Sequence, residues 1–132
     1  MSLEKDASAL LRPCLKPLHG KRIENLVEKG TPDWNYANGW IELKNSDRWP
    51  VRGGRMKPKN YTPEQRLFQH KRGKVGNVFL LWRVGKEWYL FGPEFAFGQL
   101  YLLGVTRQEA IDNCIKCWMK KLNGKELREC LN

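Results

Sequence analysis

Between Asp33 and Lys44 the chain alternates in polarity. Trp34, Tyr36, Ile41 and Leu43 are apolar, while Asp33, Asn35, Glu42 and Lys44 are polar or charged. A period of two marks a half-buried β-strand. Asn38-Gly39 in the middle is the strongest short-range signal for a hairpin. A two-residue turn there places Ala37 opposite Trp40, Asn35 opposite Glu42 and Asp33 opposite Lys44. One face of the hairpin is then aromatic and aliphatic, and the other carries two carboxylates and an amine. Directly opposed residues have Cβ atoms roughly 5 Å apart and diagonal ones about 8 Å, close enough for one metal ion to bridge the carboxylates.

The pattern elsewhere predicts helices and strands in alternation. Leu3 to Leu11 reads as a short amphipathic helix stopped before Pro13. Cys14 to Gly20 is a connection, and Arg22 to Lys29 fits a short helix or a strand equally well. Asn45 to Asn60 is a long loop. Thr62-Pro63-Glu64-Gln65 opens a capped helix that ends at Gly73. Val75 to Val84 is a strand whose run Val78 to Trp82 predicts burial on both faces. Gly85-Lys86 turns it into a second hairpin with Trp88 to Phe91. Gly92 to Gly104 is aromatic and glycine-rich without a clear period, suited to a partner interface or an extra core segment. Thr106 to Glu109 is a second capping box. The helix after it would carry Ile111, Cys114 or Ile115, Trp118 and Leu122 on one stripe and stop at Asn123-Gly124. Lys125 to Asn132 is a final helix or tail. The sum is an α/β domain spanning residues 1–132, a small mixed sheet flanked by helices.

Charge changes this picture more than length does. The 132 residues include 24 Lys and Arg against 14 Asp and Glu, a net charge of +10. Such an excess favours a polyanionic partner through counterion release, or a membrane surface. No apolar run approaches the roughly 20 residues of a spanning helix, which disfavours the membrane. The first eleven residues do not resemble a secretory signal, so a cytoplasmic location is expected. The Asn45–Asn60 loop concentrates Arg48, Arg52, Arg55, Lys57 and Lys59 around Trp49, with Asp47 as its one acid. A basic loop with an aromatic suits phosphates and an unstacked base, with a merely solvated loop as the plain alternative. Of six tryptophans, Trp82 and Trp118 suit the core, Trp40 the underside of the hairpin, and Trp49 the DNA. Cys114 and Cys117 form a Cys-X-X-Cys, but Cys14 and Cys130 are distant and no histidine lies near. Packed thiols are therefore expected over a zinc or redox site. His70 suits a helix C-terminus and His19 a loop without a special role.

Pro32-Asp33 with Glu42-Leu43-Lys44 resembles the PD-(D/E)XK signature of restriction-endonuclease-like nucleases. With Arg22-Ile23-Glu24-Asn25, Gly30-Thr31 and Thr62-Pro63-Glu64-Gln65, the stretch from Arg22 to Phe91 is similar to the small stand-alone VRR-NUC nucleases common in bacteriophages. Those are similar in turn to Holliday-junction resolvases. The resemblance implies a restriction-endonuclease-like α/β core and a Mg2+-dependent DNA endonuclease, with Mn2+ able to substitute. It further implies phage origin, residence in host cytoplasm, a branched DNA substrate and a homodimer. Asp33, Glu42 and the backbone carbonyl of Leu43 would bind the metal. Glu24 would be an additional acid, a role for which Glu4 competes. Lys44 would orient or deprotonate the attacking water, or stabilise the phosphorane oxyanion. Gln65 would contact the phosphate or a water, or simply complete its capping box. Three alternatives remain: an ordinary ion pair between Asp33 and Lys44, an inactive DNA- or RNA-binding protein with a nuclease fold, and a zinc-stabilised interaction module.

Overall fold

A computed structural model describes residues 3–23, 30 and 32–132 (of residues 3–5, the backbone alone). Glu24 and the side chain of Glu4 lie outside this set. The chain is α/β, with a six-stranded mixed sheet flanked by helices. The strands are β1 (Lys21–Arg22), β2 (Trp34–Tyr36), β3 (Gly39–Ser46), β4 (Asn77–Val84), β5 (Glu87–Phe91) and β6 (Lys116–Trp118), in that spatial order. Among the described strands only β3 and β4 pair in parallel. A parallel pair needs a crossover, supplied by the 47–62 loop and helix α2 (Pro63–Gly73).

Each face of the sheet has its own core. On one side Ala7, Leu11 and Leu15 of α1 (Leu3–Leu15) and Leu127 and Leu131 of α5 (Gly124–Leu131) cover Trp34, Tyr36, Ile41, Leu43, Leu81 and Trp88. On the other, Leu80, Trp82, Val84, Tyr89 and Phe91 meet Ala96, Leu100 and Ala110. The last three come from α3 (93–100, its second half π-helical) and α4 (Arg107–Asn113). β4 supplies side chains to both cores, Leu81 to the first and Leu80 with Trp82 to the second. Burial on both faces is what its apolar run predicts. Burying one such side chain contributes roughly 1.5–3 kcal/mol.

Four expectations are corrected. The first hairpin turns at Ala37-Asn38, so Tyr36 pairs with Gly39, Asn35 with Trp40 and Trp34 with Ile41. Gly39 is instead the first residue of β3, paired with Asn77. A Cβ there would collide with the Asn77 carbonyl, so close approach to β4 explains the glycine. The slip is by two residues, which preserves the faces but moves Asp33 away from Lys44 and toward Glu42.

Helix α1 continues through Pro13 to Leu15. Ala7, Leu11 and Leu15 lie four apart, and all are fully buried. Their shared stripe outweighs the one hydrogen bond that Pro13 cannot donate.

The helix after Thr106 ends at Asn113 and does not reach Asn123. The Ile115 amide donates to the Leu90 carbonyl at 2.7 Å, and Lys116–Trp118 pair with β5. An unpaired β5 edge captured a segment rich in strand formers. Asn123 caps the start of α5, its side chain accepting the Glu126 amide at 3.0 Å.

Finally, Val75 and Gly76 belong to the exposed turn before β4. The 92–104 segment does add to the core, through Ala96 and Leu100 of its helical 93–100 stretch. No described helix is long and apolar enough to cross a membrane.

Candidate active site

Strand alternation puts Glu42 and Lys44 on the α2 face, opposite their neighbours Ile41 and Leu43. Both charged residues are almost wholly buried, Glu42 at 1% and Lys44 at 6% exposure. β2 begins only at Trp34, opposite Ile41, so the edge of β3 beyond Ile41 meets no β2 strand residue. Asp33 stands at that gap and its Oδ2 accepts the Leu43 amide at 3.0 Å. The N–H and C=O of one strand residue face the same edge, so the Leu43 carbonyl also faces the Asp33 side. Gly30, at φ +90°, is pressed against the backbone of Glu64 in α2, where no Cβ would fit. That contact ties the approach to Asp33 to the start of α2 and accounts for the glycine three residues before the acid.

Lys44 is held from the α2 side. Its Nζ donates to the Asn60 carbonyl at 2.7 Å and to Gln65 Oε1 at 2.8 Å. Glu42 Oε2 lies 3.4 Å from the same nitrogen. Gln65 Oε1 also accepts the Thr62 amide at 3.0 Å, and Thr62 Oγ1 accepts the Gln65 amide at 3.2 Å. Gln65 is therefore both the capping residue and a neighbour of the lysine, in one side-chain conformation.

Glu42 is electrostatically unfavourable as it stands. Neither carboxylate oxygen has a hydrogen-bond partner among the described residues. Burial raises its carboxyl well above the ordinary range, the Asp33 carboxylate raises it further, and Lys44 offsets only part. Two carboxylates crowded together, one of them buried with orphaned oxygens, are what a divalent cation would satisfy. Among the described residues no group of three or more His, Cys, Asp or Glu gathers at one point. Magnesium takes only one or two carboxylates with water and phosphate oxygens completing its shell, so the donor set fits it.

These groups open onto a cleft of about 440 Å³ lined by Asp33, Glu42, Leu43, Lys44, Lys59 and Gln65 among others. Two residues that sequence reasoning missed flank Lys44 there. Asn60 takes the left-handed conformation, φ 59°, and its carbonyl holds Lys44. Asparagine tolerates that conformation, and its place before the Thr62 cap was the available signal. Tyr61 lies under Lys44, whose Nζ is 5.9 Å from its ring centre, and its hydroxyl donates to Gln69. Burial, and then the Glu42 carboxylate, push that phenol up.

The loop candidates separate. Arg48, Arg52, Lys57 and Lys59 are exposed, and Lys59 lines the cleft. Arg55 makes two 3.1 Å hydrogen bonds to Glu109 and is engaged. Trp49 is not a free stacking platform. It packs edge-on against Trp82 and Tyr89, with centroids 5.2 and 5.6 Å away, and donates its indole N–H to Glu87 at 3.0 Å. Trp40 lies on the Glu42 face rather than beneath the hairpin, edge-on to Phe68 of α2 at 5.8 Å. The four cysteines are half-buried thiols outside any disulfide, and burial pushes Cys114 up to about 12. No family model, curated protein or solved structure matches this chain.

Proposed function

We propose that the protein is a divalent-metal-dependent DNA endonuclease of the PD-(D/E)XK kind, using Mg2+, with Mn2+ able to replace it. One observation carries this reading above the others. Glu42 is buried beside Asp33 with neither oxygen hydrogen-bonded among the described residues, in an ion pair of 3.4 Å with a lysine that Asn60 and Gln65 already hold. An ordinary exposed ion pair needs none of this burial.

Asp33, Glu42 and the Leu43 carbonyl would hold the cation. Bound there, it would neutralise the scissile phosphate and acidify water. Lys44 supplies a positive charge aimed into the same cleft, able to orient the attacking water or steady the oxyanion. Asn60 and Gln65 accept its hydrogens and so fix where that charge sits. Preorganisation of this kind avoids reorientation as charge develops on the phosphate. Lys59 at the rim, with Arg48, Arg52 and Lys57 beyond it, would hold flanking phosphates. Branched DNA as substrate, phage origin and a homodimer belong to the same proposal. Exposed Leu102 and Leu103 after α3 favour that segment as the dimer surface.

The test is cleavage of a labelled four-way junction, a duplex with a single-stranded tail and a matched linear duplex, with Mg2+, with Mn2+ and with EDTA, beside Glu42→Ala. Metal-dependent cutting lost in the variant supports the reading. Salt-sensitive binding with no cutting of any of the three substrates sinks it in favour of an inactive DNA-binding protein.

A further inference from the structure

The face that carries Glu42 continues beyond the proposed metal site. Trp40 precedes Glu42 by two residues on the same side of β3, about 7 Å along the strand. Asn35 of β2 is its cross-strand partner. Here the hairpin tip, the turn after α2 and the segment leading into β1 enclose a second cavity, about 500 Å³. Among the described residues its wall contains His19, Lys21 and Arg72, the amides of Asn35 and Asn38 (the latter donating to Asn132 Oδ1 at 3.1 Å), and Trp40, and no carboxylate side chain.

These groups are arranged in advance. Arg72 lies over the Phe68 ring at 5.4 Å, and Phe68 meets Trp40 edge-on at 5.8 Å, so cation, phenyl and indole form one contiguous cluster. Asn35 donates its amide to the Gly39 carbonyl at 3.1 Å, which fixes its side chain. His19 holds a left-handed conformation, φ 58°, after the 3-10 turn that follows α1. Among the described residues neither Lys21 nor Arg72 forms an ion pair. Basic side chains with an aromatic and amide groups, and no acid among the described lining residues, match a nucleotide: phosphate for the cations, base for the indole. The spacing favours a strand over a free nucleotide. Two successive steps along one stacked strand, at about 3.4 Å each, cover about 7 Å, the distance from Glu42 to Trp40 along β3.

We propose that this cavity holds an unpaired nucleotide of the strand being cut, one or two positions from the scissile phosphate. Lys21 and Arg72 take its phosphate and Trp40 its base. The substrate is then DNA in which a single strand adjoins the cleavage point, which specifies the proposed nuclease further and rests on that reading.

Binding in EDTA tests it without cleavage. Labelled duplex with a single-stranded tail and the same duplex with blunt ends are compared by anisotropy. Wild type, Lys21→Ala/Arg72→Ala and the charge-matched Lys120→Ala/Lys121→Ala are used as full chains. The expected result is about tenfold tighter binding of tailed DNA by wild type. That preference is lost in the first double variant and kept in the second. The salt slope for the tail should fall by roughly 0.7, the value for one strand phosphate. Thymidine 5′-monophosphate should compete with the tail. Absence of a tail preference, equal loss in both double variants, or mononucleotide binding that leaves the tail in place would overturn the assignment. Tail preference without metal-dependent cutting rejects the nuclease reading and leaves the nucleotide site standing. Cutting without tail preference rejects the site alone.

Discussion

Lys44 and Gln65 share one hydrogen bond, Nζ to Oε1 at 2.8 Å, and the acceptor oxygen is the one that caps helix α2 through the Thr62 amide. Helix start and lysine position are thus coupled through a single atom. Gln65→Ala should lose both roles: about 1 kcal/mol of stability from the cap and roughly tenfold or more in cleavage. Thr62→Ala removes only the reciprocal bond to the Gln65 amide. It should cost similar stability in thermal melts while leaving most of the cleavage rate. Equal rate losses in the two variants would reduce Gln65 to a capping residue.

Glu42 makes the metal-free protein pH-dependent in a stated direction. Burial and Asp33 raise its folded pKa, so its contribution to stability is full below the unfolded value, about 4.3, and is lost as pH rises through the folded one. Glu42→Gln mimics the protonated form. In EDTA at pH 8 it should melt a few degrees above wild type, yet fail to cleave. A lower melting temperature for this variant would contradict the electrostatic account.

Metal binding requires Glu42 to release its proton. Magnesium should therefore raise the melting temperature of wild type at pH 8 and do so much less near pH 5. Asp33→Ala and Glu42→Gln should abolish the shift. A Mg2+ shift that survives in either variant would place the ion elsewhere.

Lys44→Met keeps the aliphatic stem and removes the charge. Cleavage should fall by about a hundredfold or more, with the Mg2+-induced thermal shift retained. Loss of the shift together with activity would mean the lysine supports the fold of the site rather than the chemistry.

Trp49→Ala should cost about 2–3 kcal/mol, because the indole fills the angle between Trp82 and Tyr89 and binds Glu87. DNA affinity of the folded variant should stay within about twofold, since the ring is committed to the core and stacks no base. A large affinity loss without destabilisation would return Trp49 to the interface.

Where local chemistry decides a conformation, the sequence was readable. The capping boxes at Thr62 and Thr106 formed because each cap satisfies backbone amides only three residues away. Alternation placed Glu42 and Lys44 opposite Ile41 and Leu43, since strand geometry has a period of two regardless of partner. Gly85-Lys86 turned as its glycine permits, at φ +61°. In the same way, two acids and a lysine on one polar hairpin face could be read from spacing alone.

Tertiary structure decided what depends on distant neighbours. The register of β2 on β3 moved by two residues because Gly39 was needed against Asn77, not in the turn, and that slip set Asp33 toward Glu42. Ile115 to Trp118 became a strand because β5 offered unpaired backbone groups, which no local propensity reveals. Trp49 packed, partly buried, against the second core because Trp82 and Tyr89 stood ready to receive it. Residue types and their faces are properties of the chain's own geometry. Pairing partners, burial and the crowding that raises Glu42 come from segments brought together only by folding, where hydrogen bonds and apolar contacts between remote residues outweigh local preference.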